Sequence, residues 1–250
     1  MKITGRITGS IATPNYKFVS PLFTYKIDQI QYYAEDFLRF IPRNIRNYPS
    51  HGTDHSINIL SLIDKFLENW SITLSEKEAY LLYLAAWLHD IGIIIDRNNH
   101  NEHSANILIK SQYISTHLGR EIQKLVGWVV RSHSKEFEII DVPDEICEVR
   151  LQFICSIFRI MDACEIVDKK CPTEVFECIK NELNDESMEF WQAHMSIMGI
   201  TYKKPDIIIY VTDINKSKLL ITRLQNEIDS IRDIFLKNNT DFPVIQTKQF

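Results

Sequence analysis

The run from Ala79 to Leu88 constrains the fold of this chain more than any other segment, because its apolar and aromatic side chains cover every side of a helix. Ser75 followed by Glu78 fits a capping box, which predicts that the helix begins there and continues to about Ile91. A helix that is apolar all round is a buried one. The run therefore predicts a central helix in a mainly α-helical protein.

Apolar periodicity predicts further helices along most of the chain, and only 7 glycines interrupt it. These helices are expected from Thr24 to before Pro42, from Thr53 or Asp54 to Trp70, over Glu102–Ser111, Arg120–Arg131 and Asp144–Met161, and twice within Thr173–His194. The pattern changes near the C-terminus, where we expect strands at Met195–Tyr202, Asp206–Thr212 and Phe242–Ile245 and a helix at Ser217–Lys237.

The resulting fold class is mainly α, a helical bundle with a small C-terminal α/β appendage. We divide the chain into an N-terminal arm (1–23), a helical domain (24–194) and a C-terminal α/β segment (195–250) that packs on it.

The charge and cysteine content exclude several classes of protein. The net charge of −5 gives no general positive field, so we do not expect nucleic acid or an anionic membrane surface as a partner. The apolar stretch Ala79–Ile95 is broken by His89, Asp90 and Gly92, which argues against a membrane span. Five cysteines without CxxC spacing fit free thiols in a reducing compartment, so we expect a cytoplasmic protein.

Seven of the eight histidines lie between positions 51 and 133, and the doublet His89-Asp90 ends the central apolar helix. A carboxylate in apolar surroundings costs several kcal/mol unless it is compensated, and a divalent cation can compensate it. His55 opens another predicted helix and Asp162 ends a third. These positions predict a metal site at converging helix ends.

The ordered set His55, His89-Asp90 and Asp162, with the segments Leu-His-Asp-Ile-Gly and Arg-Ile-Met-Asp-Ala, resembles the HD-domain metal-dependent phosphohydrolase superfamily. The resemblance covers about residues 50–168. It implies an HD-type helical bundle in which these four side chains surround a divalent metal ion, and hydrolysis of a phosphate ester, as phosphomonoesterase or phosphodiesterase.

Superfamily members with two metals add two histidines between the doublet and the last aspartate. His100, in His-Asn-Glu-His-Ser-Ala, and His133, at the end of an apolar helix, are the candidates, and His103 is the alternative to His100. Asp90 would then bridge the two ions, and we favour two ions over one. Mixed imidazole and carboxylate ligands suit Mn, Fe, Co, Ni, Zn or Mg.

Beside the ligands, several residues are candidates for catalysis. Asp90 holds the metal that activates water. Arg131, Lys135 and Arg159 are candidate phosphate contacts, and His51 or His103 is a candidate proton donor to the leaving group. For Arg159, an ion pair with Asp162 or Glu165 is the competing interpretation. His117 and His194 are expected to be structural.

Two other functions remain open at this stage. The first is a sensor of HD fold that binds a nucleotide or a metal without turnover, with the C-terminal segment as an interaction surface. The second is a single-strand nuclease, against which the acidic charge counts. The preferred partner is a small phosphorylated substrate, with a nucleotide first among the candidates, and a homodimer is possible.

Overall fold

The structure is a computed structural model that describes residues 14–41, Pro49 and residues 51–250. These residues form ten α-helices, short 3₁₀ turns and one three-stranded sheet. The α-helices are α1 (Pro21–Leu38), α2 (Thr53–Trp70), α3 (Glu76–Leu88), α4 (His100–Lys110), α5 (Gln112–Leu118), α6 (Arg120–Ser132), α7 (Leu151–Ala163), α8 (Thr173–Ile179), α9 (Asp185–Met195) and α10 (Ile214–Lys237). The strands are β1 (Ile197–Lys203), β2 (Asp206–Val211) and β3 (Val244–Gln249).

Helix α3 is the centre of the bundle, as its sequence predicts. All of its side chains from Glu78 to Leu88 are buried, and it packs against α1, α2, α6 and α7. The predicted capping box is present: the Glu78 backbone N–H donates to Ser75 Oγ, and the Ser75 N–H donates to Glu78 Oε2. Burial of the helix on all sides places its C-terminal end, which carries His89 and Asp90, inside the molecule.

The C-terminal segment is a small α/β unit, which confirms the predicted fold class. β1 and β2 form an antiparallel pair with Tyr202 opposite Ile207, and β3 lies parallel to β2 with Ile245 opposite Ile207. A parallel pair needs a crossover connection, and α10 supplies it. α10 also packs against α7 and α9, so the appendage and the helical bundle share one core.

Several predicted boundaries differ from the observed ones. α1 begins at Pro21 rather than Thr24, because a proline in the first turn loses no helical hydrogen bond. α7 begins at Leu151 rather than Asp144. Cys147 and Glu148 adopt positive φ angles within a tight turn closed by the bridge between Ile146 and Val149, and an L-residue helix cannot contain that conformation.

Two further points concern the extent of the chain. Residues 1–13 of the predicted arm lie outside the described residues, and the division into arm, domain and appendage stays a prediction. Among the residues that the structure describes, no helix combines the length and apolar character that crossing a membrane requires.

Candidate metal centre

The predicted metal ligands meet at five helix ends. His55 lies in the first turn of α2, His89 caps the C-terminus of α3 and Asp90 follows it, His100 begins α4, His133 caps the C-terminus of α6, and Asp162 lies in the last turn of α7. Because the five ends converge, side chains that are far apart in sequence lie close enough together to bind the same metal ion. The structure therefore brings all six predicted ligands together.

The first group of ligand atoms lies between α2, α3 and α7. His55 Nε2 lies 3.1 Å from His89 Nε2 and 3.2 Å from Asp162 Oδ1. Asp90 Oδ2 lies 3.5 Å from His55 Nε2 and 3.4 Å from His89 Nε2. His55, His89 and Asp162 each offer one side-chain ligand atom, and these three atoms lie within 4.8 Å of one another, close enough for one ion to bind all three.

The second group uses the other oxygen of the same aspartate. Asp90 Oδ1 lies 3.5 Å from His100 Nε2 and 3.9 Å from His133 Nε2, and these two nitrogens are 2.9 Å apart. The Asp90 carboxylate thus lies between two sets of imidazoles, one facing each oxygen. This is the arrangement expected of a carboxylate that bridges two ions.

The outward nitrogens of three rings are held by backbone carbonyl groups. His89 Nδ1 lies 3.2 Å from the carbonyl oxygen of Ala85, and His133 Nδ1 lies 2.6 Å from that of Val130. His100 Nδ1 lies 2.7 Å from the carbonyl oxygen of Arg97. A carbonyl only accepts hydrogen bonds, so each Nδ1 carries the proton and each Nε2 presents a lone pair towards Asp90.

These facing lone pairs are the observation that tests whether a metal fits. The Nε2 atoms of His100 and His133 repel each other at 2.9 Å unless a positive charge lies between them. Burial and the neighbouring His100 and His89 together lower the pKa of His133 to about 3, so this ring is neutral at pH 7. Imidazole nitrogens and ionised carboxylates are donors that divalent metals bind, and the residues fit.

The pKa values of the two aspartates are both lowered. Burial would raise the pKa of Asp90 and of Asp162, but the surrounding imidazoles outweigh it and hold both pKa values well below the usual range. The carboxylates therefore stay ionised in an enclosed site. At His55, burial and Lys170 act to lower the pKa, but Asp162 and Glu165 raise it to about 9. The site as a whole attracts positive charge.

The structure places His100, and not the alternative His103, in the cluster, and Gly92 permits the close packing of α4 there. A Cβ atom on Gly92 would lie 2.3 Å from the backbone nitrogen of Ser104 and 2.4 Å from the carbonyl oxygen of His100. The glycine lets α4 begin directly against the turn after Asp90, and the Gly92 N–H donates to Ser104 Oγ at 2.7 Å. His103 is half-buried and belongs to none of the ligand groups found among the described residues.

His51 also reaches the centre. Its Nδ1 lies 3.1 Å from Asp90 Oδ2, and with His55 and Asp90 it forms a third group that could hold an ion. Burial and the positive charge of Lys170 lower the pKa of His51 to about 4, against the pull of Asp90. Donation to a leaving group needs a proton on the ring, and the role of His51 as proton donor stays a prediction.

Three basic residues were candidates for phosphate contact, and their surroundings in the structure differ. Lys135 is exposed and lines a cavity beside the ligands, whereas Arg131 pairs with Glu102 at 3.0 Å. Arg159 also lines the cavity but is 3% exposed, and its guanidinium donates to the carbonyl oxygens of Ser132, Ser134 and Phe137.

Arg159 therefore holds the segment that follows His133, and its contact with phosphate stays a prediction. The competing interpretation, a pair with Asp162 or Glu165, is not the observed one, because the carboxylate nearest to the Arg159 guanidinium is that of Glu227, at 3.8 Å.

Two charged residues at the centre, Glu165 and Lys170, were not predicted from the sequence as part of it. Glu165 Oε2 lies 3.1 Å from His55 Nδ1 and 2.6 Å from Lys170 Nζ, and Asn58 donates to Glu165 Oε1 at 2.9 Å. Burial would raise the pKa of Glu165, but Lys170 and His55 lower it, so a buried ion pair supports His55 from behind. The spacing Asp162-x-x-Glu165, which places both carboxylates on one side of the chain, was the available signal.

The cavity beside the ligands has a volume of about 280 Å³. Its walls come from the ligand cluster, the turn carrying Arg97, the segment after His133, and helices α9 and α10. His194, predicted to be structural, is buried at this wall with Nδ1 3.0 Å from the carbonyl oxygen of Ile166. His117 lies at the end of α5, away from the cavity lining.

Comparison with known proteins adds one finding. A protein-family model described as HD-CE matches residues 32–233, a region that contains every ligand of the cluster and most of α10. Curated proteins yield no match to the chain.

Proposed function

Since the chain belongs to the HD-CE family, a family of HD-type domains, we propose that it is a metal-dependent phosphohydrolase acting on a small phosphate ester. The reaction is hydrolysis of a phosphomonoester or phosphodiester by water, and nucleotides are the first substrates to examine. The single observation that supports this most strongly is the position of Asp90, whose two oxygens face two separate sets of imidazole nitrogens.

The residues divide into ligands and residues that shape the site. His55, His89 and Asp162, with Asp90 Oδ2, would hold one divalent ion, and His100 and His133, with Asp90 Oδ1, would hold the other. When bound, such a pair of cations lowers the pKa of water and neutralises phosphoryl oxygens in the transition state. The protein groups supply the fixed geometry on which this electrostatic stabilisation depends.

Other side chains at the cavity assist binding and exclude water. Lys135 and Arg97 line the cavity and attract an anionic ester. Ile93 and Ile166 are buried beside the ligands and limit the access of bulk water. His51 Nδ1 donates to Asp90, so its Nε2 is the atom able to accept a proton from a group in the cavity.

The test combines metal analysis with hydrolysis assays. We expect the purified protein to bind two divalent ions per chain and, with Mn²⁺, to hydrolyse esters in a panel of generic monoesters, generic diesters and nucleotides. Asp90→Asn keeps the size of the side chain but loses its charge, and we expect it to lower kcat/KM by about 100-fold or more together with metal content. Asp229→Asn, an exposed carboxylate on α10, is the matched control.

The outcome that rejects this function is specific. If the folded protein binds its metals and hydrolyses no member of the panel, the enzyme proposal fails and the alternative, a sensor that binds without turnover, replaces it. If Asp90→Asn hydrolyses the esters as well as the control variant does, the site of the reaction lies elsewhere.

A further inference from the structure

One face of helix α10 forms part of the cavity wall. Leu220, Arg223, Leu224 and Glu227 all line the cavity, and their spacing of three, four and seven residues places them on one side of the helix. Further along the helix the same side enters the main core, where Ile228, Ile231 and Phe235 are buried and anchor it. The wall is therefore a rigid surface presented by the C-terminal segment.

Much of this surface consists of apolar side chains and of flat side-chain groups, a guanidinium and an aromatic ring. Leu220 and Leu224 are buried, and Phe190 of α9 lines the cavity beside them. The guanidinium of Arg223 stacks on Phe190, with Cζ 4.2 Å from the ring centroid. A phosphate group gains nothing from apolar side chains, whereas the ring of an organic group does, and stacked guanidinium and aromatic groups favour planar rings.

Glu227 adds a hydrogen-bond acceptor to the same wall. Its side chain is 18% exposed, and its nearest cation is Arg159, whose Nε lies 3.8 Å away, too far for a hydrogen bond. The Arg159 guanidinium donates instead to the carbonyl oxygens of Ser132, Ser134 and Phe137. Among the described residues, the Glu227 carboxylate has no hydrogen-bond donor, so it can accept one from a ligand. It would also repel a further phosphate group at this position.

We propose that this face of α10, with Phe190, binds the leaving group of the ester, and that the leaving group is an alcohol that carries a planar ring with N–H donors. The inference rests on the proposed function and assigns specificity within it. Arg223 stacks on the ring and Glu227 accepts a hydrogen bond from its amino group. Both are specificity-determining residues that act on the leaving group and not on the phosphate.

The experiment measures binding of phosphate-free rings to the metal-loaded protein, so that hydrolysis is not needed for the readout. Calorimetry compares two sets of nucleosides. Adenosine, guanosine and cytidine carry an exocyclic amino group on the base, whereas purine riboside and zebularine lack it. The variants are Arg223→Lys, which keeps the charge but not the planar group, and Glu227→Met, which removes the acceptor. We expect each variant to weaken binding of the nucleoside that the wild type binds most tightly by about 10-fold or more.

Matched controls come from the same helix. Arg232 stacks on Phe242, with Cζ 4.0 Å from that ring centroid, so Arg232→Lys repeats the Arg223 substitution in a similar stack that is not part of the cavity. Glu227→Gln keeps one acceptor oxygen and is expected to lose less binding than Glu227→Met. Hydrolysis assays then compare ring esters with glycerol phosphate, and the variants should raise KM only for the ring esters.

The outcomes separate this inference from the proposed function. The inference is overturned if no nucleoside binds, or if nucleosides without the amino group bind equally well. It is also overturned if the variants impair hydrolysis of glycerol phosphate and of ring esters alike. Hydrolysis by the wild type in that case leaves the proposed function standing. If rings bind with the expected pattern and no ester is hydrolysed, the ring-binding surface stands and the proposed function fails.

Discussion

At the scale of single residues, both nitrogens of each clustered imidazole have a defined role. In the four histidines predicted as ligands, Nε2 faces Asp90 or Asp162, and Nδ1 is held by a carbonyl group or, in His55, by a carboxylate. That carboxylate, Glu165, is itself fixed by Asn58 and Lys170. A ligand supported by a charged acceptor is a stronger base than one supported by a carbonyl, so His55 is expected to bind its ion most tightly.

The Glu165→Gln substitution tests this support. The amide keeps the side chain's shape but loses the charge that fixes the proton on His55 Nδ1. We expect metal affinity at the first group to fall by about 10- to 100-fold, with less effect at His100 and His133. Titration of the metal-free protein with Mn²⁺, followed by calorimetry, measures the two affinities.

The variant also leaves Lys170 buried without its partner, which destabilises the fold by a separate route. The double variant Glu165→Gln with Lys170→Met removes the unpaired charge. If the double variant recovers both stability and full metal affinity, Glu165 has no positioning role and only the buried charge mattered.

At the scale of elements, the centre depends on where helices end, and α3 fixes the most important end. Its first turn is held by Glu78, which accepts hydrogen bonds from the backbone of Ser75 and from Arg150 Nε and Nη2, the latter two at 2.8 Å. Burial would raise the pKa of Glu78, but Arg150 and the backbone N–H groups outweigh it and lower the pKa. The carboxylate therefore joins α3 to the start of α7.

We predict that Glu78→Gln lowers the free energy of unfolding by about 2 kcal/mol at pH 7, a value reduced for the partial exposure of Arg150. Because the folded-state pKa is lowered, the contribution of Glu78 is fully present above the usual pKa of about 4.3 and is lost as the pH falls through the folded-state value. Urea unfolding at pH 7 and at about pH 3.5 should show the difference between variant and wild type shrinking.

Glu174→Gln provides the comparison, since Glu174 is an exposed acidic residue in the first turn of α8. We expect it to change stability by only a few tenths of a kcal/mol at either pH. A difference between Glu78→Gln and wild type that stays constant, or grows as the pH falls, would contradict the assignment.

At the scale of the whole molecule, the fold brings together two ionised carboxylates that a bound cation would stabilise. Asp90 is almost fully buried, and Asp162, at the end of α7, faces the same nitrogens of His55 and His89. The helices that converge there belong to the same core as α10, so the centre and the folded state are linked. Ions that bind the folded chain and not the unfolded one must stabilise it.

We predict that chelation lowers Tm and that restoring Mn²⁺ or Zn²⁺ raises it. An ion at about 100 times its Kd contributes about 2.7 kcal/mol, which for a chain of this size corresponds to a shift of roughly 5–10 °C. Scanning calorimetry with and without a chelator measures the shift. Asp90→Asn should remove most of it, and an equal shift in that variant would show that the stabilising ion binds elsewhere.

Much of the centre was predictable because its ligands are local features of helix ends. His89-Asp90 after an all-apolar helix, His55 at a helix start and Asp162 at a helix end each carry their own signal in the sequence, and the structure brings them together. The predicted fold class and the HD-type domain are confirmed, because apolar periodicity reflects burial directly. The sequence also determined the capping box of α3 and the α/β character of the C-terminal segment.

Only the tertiary structure decided the contacts between elements distant in sequence. It placed His100 and not His103 among the ligands, joined Glu165 and Lys170 to His55, and directed the guanidinium of Arg159 to backbone carbonyl groups. It also placed a face of α10 on the cavity. The physical reason is that periodicity shows which side of a helix is buried, whereas what that side meets depends on how the helices cross, and no local pattern encodes a crossing.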